Sequence, residues 1–276
     1  MMKKLLIGLA LLTGASVSQA AVFNYDDFSD LSDWQINGDA IGLNPNADNN
    51  LRLTESAGFQ GGSAFLSNAI TLNAESSFQA FFKFQIANSA GASDIDGIGA
   101  DGLVFVVQTN DNSVGGVGGG IGYLGIENSV GIEFDTWNNG ALLDADSGNH
   151  VGINIDGSIA SSALVTESVR FNDADIWSVW VDYNGANDLL EVRWSMDGLR
   201  VDDALLSLEV DLTAVLDSNE AFFGFTSGTG GAYGRHDILS ARFVDDFVAQ
   251  PVNAPTVLFL TMFGIAGLFA NRRIKV

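Results

Sequence analysis

The chain has 276 residues, 47% of them hydrophobic and 10% aromatic, with 32 Gly, 3 Pro, no Cys and a formal charge of −22. The missing cysteine excludes a disulfide framework, and the length suffices for one large domain with a substantial core. Five of the 12 Lys and Arg lie in the two terminal segments, so the stretch between them sets seven basic residues against 34 acids; a field of that sign repels phosphate backbones and excludes nucleic acid as a natural partner, while it suits cations, neutral ligands or solubility in salt.

In chain order, "MMKKLLIGLALLTGASVSQA" opens with Lys3 and Lys4, continues through the apolar run Leu5 to Leu12, and offers Ser18-Gln19-Ala20 as a small-x-small cleavage site. Residues 1–20 therefore read as an export signal. A long row of strands is predicted next: "SAFLSNAITL", "SFQAFFKFQI", "DGLVFVVQ", "VGIEFDTW", "HVGINI", "IWSVWVDY", "LLEVRWSM", "AFFGFTS" and "DILSARFVDDF". Each alternates or is continuously apolar, and Gly, Asn, Asp and Ser clusters separate them. "DYNGANDLLEV" reads as a hairpin and "DLTAVL" as one helical turn. Many strands without a βα rhythm imply an all-β antiparallel sandwich or jelly roll, in one domain over residues 21–250. Trp177, Trp180 and Trp194 alternate with apolar neighbours and are expected in its core.

Two stretches invite a chemical reading. "SVGGVGGGIGYLGI" echoes a phosphate loop, but it holds no Lys and no helix pattern follows it, so it reads as a flexible loop entering a strand. "GIEFDTWNNGALLDADSGNHVGI" is richer. Its strand puts Ile132 and Phe134 on one face and Glu133, Asp135 and Trp137 on the other. Lone acids on a strand usually face water. Here, however, the Cα atoms of Glu133 and Asp135 are roughly 6.6–6.8 Å apart, and two such anions in a desolvated site repel unless a cation lies between them. Asn139 adds an amide oxygen, Asp144 and Asp146 more carboxylate, and His150 an imidazole. That set suits Ca²⁺, or Mn²⁺ with one His, better than zinc. On spacing alone, metal binding and a solvated acidic loop both remain open.

The chain closes on "NAPTVLFLTMFGIAGLFANRRIKV". The apolar run Val257 to Ala270 spans about 21 Å as a helix, against a hydrocarbon core of about 30 Å. Proline, short apolar run and terminal arginines resemble the bacterial sorting tails called PEP-CTERM, with Asn253-Ala254-Pro255 standing where Pro-Glu-Pro would be expected. Residues 251–276 are thus expected to meet a membrane or sorting machinery, with a plain tail anchor as the rival reading.

The motifs together resemble the legume lectins and their L-type relatives. "VGIEFDTWNN…NHVGINIDGS" is similar to that family's metal loop, "LRLTESAGFQGGSAFLSNAITL" to its L-x-L-T segment, and "ADGLVFVVQ" to its A-D-G strand. "GYLGI" matches its Gly loop and "AFFGFTSGTGGAYGRHDILSARF" its ending, so the resemblance covers nearly all of residues 22–244 in order. It implies a concanavalin-like sandwich. It further implies that Glu133 and His150 hold Mn²⁺, and that Asp135 bridges to Ca²⁺. Trp137 would supply Ca²⁺ a backbone carbonyl and Asn139 a side-chain oxygen. Asp144 would be the second shared acid, with Asp146 its competitor. For the glycan the resemblance implies Asp101, presented by a cis Ala-Asp peptide, with Asn139, the amide of Gly122 and a stacking Trp137; Tyr233 falls in the segment that varies with the sugar. His236 precedes a strand far along the chain from the metal loop and is expected to have no ligand role. The expectation is an exported or surface-held, non-enzymatic glycan-binding protein that gains avidity from a homo-oligomer or membrane display.

Two rivals stand beside it. A laminarinase-like hydrolase would need a third acid in E-x-D-x-x-E, where this chain has Asn138, and a retaining pair of carboxylates. A structural exopolysaccharide-matrix protein would keep the fold without sugar affinity.

Overall fold

The computed structural model describes residues 20–41, 48–73 and 75–245. The expected export signal, Ala20 apart, and the tail over 251–276 lie outside the described residues. Among the described residues no helix is long and apolar enough to cross a membrane.

Two antiparallel sheets face each other. One runs, in spatial order, β1 (Val22–Tyr25), β15 (Ala232–Asp245), β6 (Phe78–Gly91), β11 (Ile176–Asn184), β12 (Leu189–Ser195) and β13 (Leu206–Glu209), with β3 (Leu51–Thr54) also pairing β15. The other runs β10 (Ala163–Thr166), β9 (His150–Ile155), β8 (Ser129–Asp135), β7 (Gly102–Gln108), β14 (Glu220–Gly228), β4 (Gly61–Leu66) and β2 (Trp34–Gly38), with β5 (Ile70–Thr71) also pairing β14. A short helix, α1 (Leu212–Leu216), is capped by Asp211, whose carboxylate accepts from the Ala214 amide at 3.0 Å.

Alternation decides which side chains meet. On β6, Phe78, Ala80, Phe82, Phe84 and Ile86 turn inward, and on β8 Ile132 and Phe134 do the same. Their rings pack across the sandwich: Phe84 against Phe134 at 4.9 Å and Phe82 against Phe225 at 5.0 Å between centroids. Trp177 and Trp194 belong to this core, but Trp180 does not. It sits at an even step from neither Trp177 nor Val179, so it lies on the outer face, half-buried over Phe81 at 5.3 Å.

The glycine-rich stretch is not a flexible loop. It forms a 3₁₀ turn at Gly118–Gly120 and then drives Ile121, Tyr123 and Ile126 against Phe65, Val104 and Val106. These residues make a second, smaller core on the outer face of the eight-stranded sheet, and so fix the loop over one end of it.

Candidate functional site

Register brings the singled-out residues to one end of the eight-stranded sheet. Gly102 pairs with both Asp135 and Gly228, and Asp135 pairs with His150. The start of β7, the end of β8, the start of β9 and the end of β14 therefore converge. Because Ile132 and Phe134 face the sandwich core, Glu133 and Asp135 project to the opposite face. They are nonetheless buried there, at 1% and 2% exposure, under the segment that follows β8.

The ligating atoms of Glu133, Asp135 and His150 lie within 4.8 Å of one another. His150 Nε2 stands 3.3 Å from Glu133 Oε1, and Asp135 Oδ1 accepts from the Trp137 amide at 2.7 Å. Asp144, also buried, accepts from the Asn139 amide and so folds the segment back onto the cluster; Asp146 is exposed. Burial, with Glu133 and Asp144 adding repulsion, pushes the Asp135 carboxyl well above the usual carboxylate range, and burial pushes Asp144 up as well. Among the described residues no Lys or Arg pairs with these three acids. Buried anions without a cation are unstable as they stand, so the donor set fits a hard divalent ion or an Mn²⁺-like ion with one imidazole.

Several residues that the sequence did not single out hold this cluster. Ser161 and Asn154 donate to the Glu133 carboxylate. Gly152 admits both, since a Cβ there would meet Ser161 Oγ at 2.1 Å and Glu133 Oε1 at 2.4 Å. Asn154 was legible, because His150, Gly152 and Asn154 share a face of β9 by period two. Asp94 clamps the far side: it accepts from the Asn138 amide at 2.9 Å and from the amides of Asp96 and Gly97. Its only signal was the Asp-x-Asp-Gly turn chemistry of residues 94–97.

Beside the cluster lies a group of buried polar atoms. The Ala100–Asp101 peptide is cis, and the Asp101 backbone is tied to Gly228 O (3.2 Å) and to the Thr136 amide (2.9 Å). Asp101 is 4% exposed, with Oδ2 unpartnered; burial pushes its carboxyl up to about 7, and the Gly230 amide pulls the other way. Asn139 is half-buried, and its Nδ2 is unpartnered too. A glycine floor links them: a Cβ on Gly230 would stand 3.4 Å from Asp101 Oδ2 and 3.3 Å from Gly118 Cα, and one on Gly119 would stand 2.4 Å from Asn139 Oδ1. An acceptor and a donor, both buried, are thus linked through this glycine backbone.

Two expected roles shift. The Gly122 amide donates inward to Gly116 O at 2.8 Å, closing the loop on itself, so it is not available to a ligand. Gly119 is the glycine pressed against Asn139. Tyr233 belongs to strand β15 rather than to a loop tip, and its ring packs where Gly91 and Gly58 leave room. Trp137 is half-buried at the end of β8. His236 is fully buried, with Nδ1 2.7 Å from Thr54 Oγ1. Glu133 and Asp135 are both buried, so this pair does not face a cleft as glycosidic cleavage requires.

Two antiparallel sheets thus carry a buried acidic cluster with Asp101 and Asn139 beside it. The legume lectin domain model matches residues 20–257, and the chain belongs to that family of non-catalytic carbohydrate-binding domains. Among relatives, an L-type lectin-domain containing receptor kinase VIII.1 of Arabidopsis thaliana is 32% identical over 181 residues, 62% of this chain and 24% of that protein. The chain thus spans about a quarter of the length of such receptor kinases. A lectin-like protein of the same plant is 28% identical over 83% of this chain and 93% of its own length. Among solved structures, lectin I-B4 of Griffonia simplicifolia, in a metal-free form, is 25% identical with a TM-score of 0.69, covering 82% of this chain and 100% of its own. A Bauhinia forficata lectin in complex with GalNAc has the same fold (TM-score 0.69, 24% identity, 82% and 98% covered).

Proposed function

We propose that this protein is an exported, Ca²⁺- and Mn²⁺-dependent lectin that binds extracellular or cell-surface polysaccharide. Glu133, Asp135, Asp144 and His150, with Asn139 and the Trp137 carbonyl, would hold the ions. Those ions supply positive charge to buried acids that lack it. The observation that carries the glycan reading is the pair of buried, unpartnered polar atoms, Asp101 Oδ2 and Asn139 Nδ2, joined through Gly230, Gly118 and Gly119. Neighbouring hydroxyls of a neutral sugar both donate and accept, and they complete such a pair. Trp137 would offer an apolar surface to the ring. The leader-like residues 1–20 and the apolar, arginine-ended tail support export with membrane or sorting contact, and display in several copies would strengthen a weak single site.

Equilibrium binding of the purified chain to a polysaccharide panel, with and without a chelator, tests the reading. Chelator-sensitive binding without released sugar is the expected result. Released sugar would favour hydrolysis, and no binding under any condition would favour a structural matrix role.

A further inference from the structure

Phe59 stands in the loop between β3 and β4 with φ 61° and its side chain 76% exposed. A bulky residue in the left-handed region is strained, where glycine or asparagine would be at ease. Phe59 receives no burial in exchange. Neither backbone preference nor the core therefore accounts for a phenylalanine at this position, and strain of this kind concentrates at functional places.

The loop is also firmly held. The Glu55 amide donates to Gln60 Oε1 (2.7 Å), Gln60 and Thr229 exchange bonds at 2.9 Å, and Thr229 Oγ1 donates to Ala57 O (2.7 Å). The Phe59 amide itself donates to Gly230 O at 3.3 Å. Gly230 is also the residue that backs Asp101 Oδ2, so it stands between the Phe59 backbone and the Asp101 carboxylate. Val117, 49% exposed, lies against Gly61, and the Tyr233 ring lies against Gly58. Apolar side chains thus flank the loop that carries Phe59.

We propose that Phe59 forms a second glycan subsite, stacking against the apolar face of the sugar joined to the one held at Asp101; this rests on the glycan-binding reading above. A pyranose presents C–H groups on one face, which suit an aromatic ring, and a loop backbone already held by hydrogen bonds loses little freedom on binding.

The test is Phe59→Gly in the full chain, titrated with a panel of methyl monosaccharides, including galactosides, N-acetylgalactosaminides and fucosides, and with the di- and trisaccharides that end in them. Monosaccharide affinity should stay within about two-fold of the native chain, while oligosaccharide affinity should fall on the order of 3- to 10-fold. Phe59→Tyr should restore it. The melting temperature of Phe59→Gly should equal or exceed the native value, since φ 61° suits glycine. Unchanged oligosaccharide affinity, or an equal loss for both ligand classes, overturns the subsite and leaves the Asp101 reading standing. Failure of the native chain to bind anything on the panel overturns both.

Discussion

Asp101 and His236 show how burial of single groups divides between function and stability. Asp101 has an unpartnered, buried oxygen whose carboxyl is pushed up to about 7, so the fold gains nothing from its charge. Asp101→Asn should therefore leave the melting temperature equal or higher while weakening glycan binding by about 30-fold or more, the loss of a charge-assisted hydrogen bond; a large fall in stability with binding intact would contradict the assignment. His236 behaves differently. Its pKa is lowered from 6.5 to about 3, because burial penalises the imidazolium. The unfolded chain takes up the proton first, so this contribution is whole above pH 6.5 and is lost as pH falls towards 3, at up to about 1.4 kcal/mol per pH unit. His236→Gln should flatten that limb of a urea-denaturation series between pH 7 and 4.5, and parallel limbs would count against it. The sequence offered His236 only as a residue without a ligand role; its burial and its Thr54 contact are what the fold adds.

At the scale of elements, long strands were legible and short ones were not. β6, β7, β8, β11 and β14 each carry enough alternating Phe, Val, Ile or Trp to announce an inner face. β10 and β13 have four residues apiece and a mixed burial pattern, so tertiary pairing rather than local pattern makes them strands. The Gly-rich loop misled because its anchors, Ile121, Tyr123 and Ile126, are spaced by a turn and not by a strand or helix period. Trp180 misled because composition says nothing about which face a residue takes. The acidic cluster was legible as residue types on one strand face, but Asp94 and Ser161 came from distant turns that only the fold brings close. One long-range link also escaped notice: Arg52 on β3 grips Asp237 on β15 through Nε at 2.8 Å, both groups almost wholly buried, and Arg235 adds a second contact at 2.8 Å. Removing the acid strands buried arginine charge, so Asp237→Ala should destabilise by about 3–5 kcal/mol in chemical denaturation. A change below about 1 kcal/mol would mean the link is not structural. Gly152→Ala should disrupt the cluster directly, because its Cβ has no space beside Ser161 and Glu133; the variant is expected to lose metal-dependent stabilisation while the native chain keeps it.

For the whole molecule, a net charge of −22 and a knot of buried acids mean that the folded state carries repulsion which divalent ions would relieve. Binding to the folded chain alone stabilises by about 2.7 kcal/mol at a ligand concentration of 100 times Kd, or roughly 5–10 °C for a domain of this size. The most direct measurement is calorimetric titration of Ca²⁺ and Mn²⁺ into the demetallated protein, with its melting temperature followed alongside. The account predicts saturable binding, a melting temperature raised by several degrees, and loss of both in Asp135→Asn; absence of saturable heat, with an unchanged melting temperature in the native chain, would contradict it.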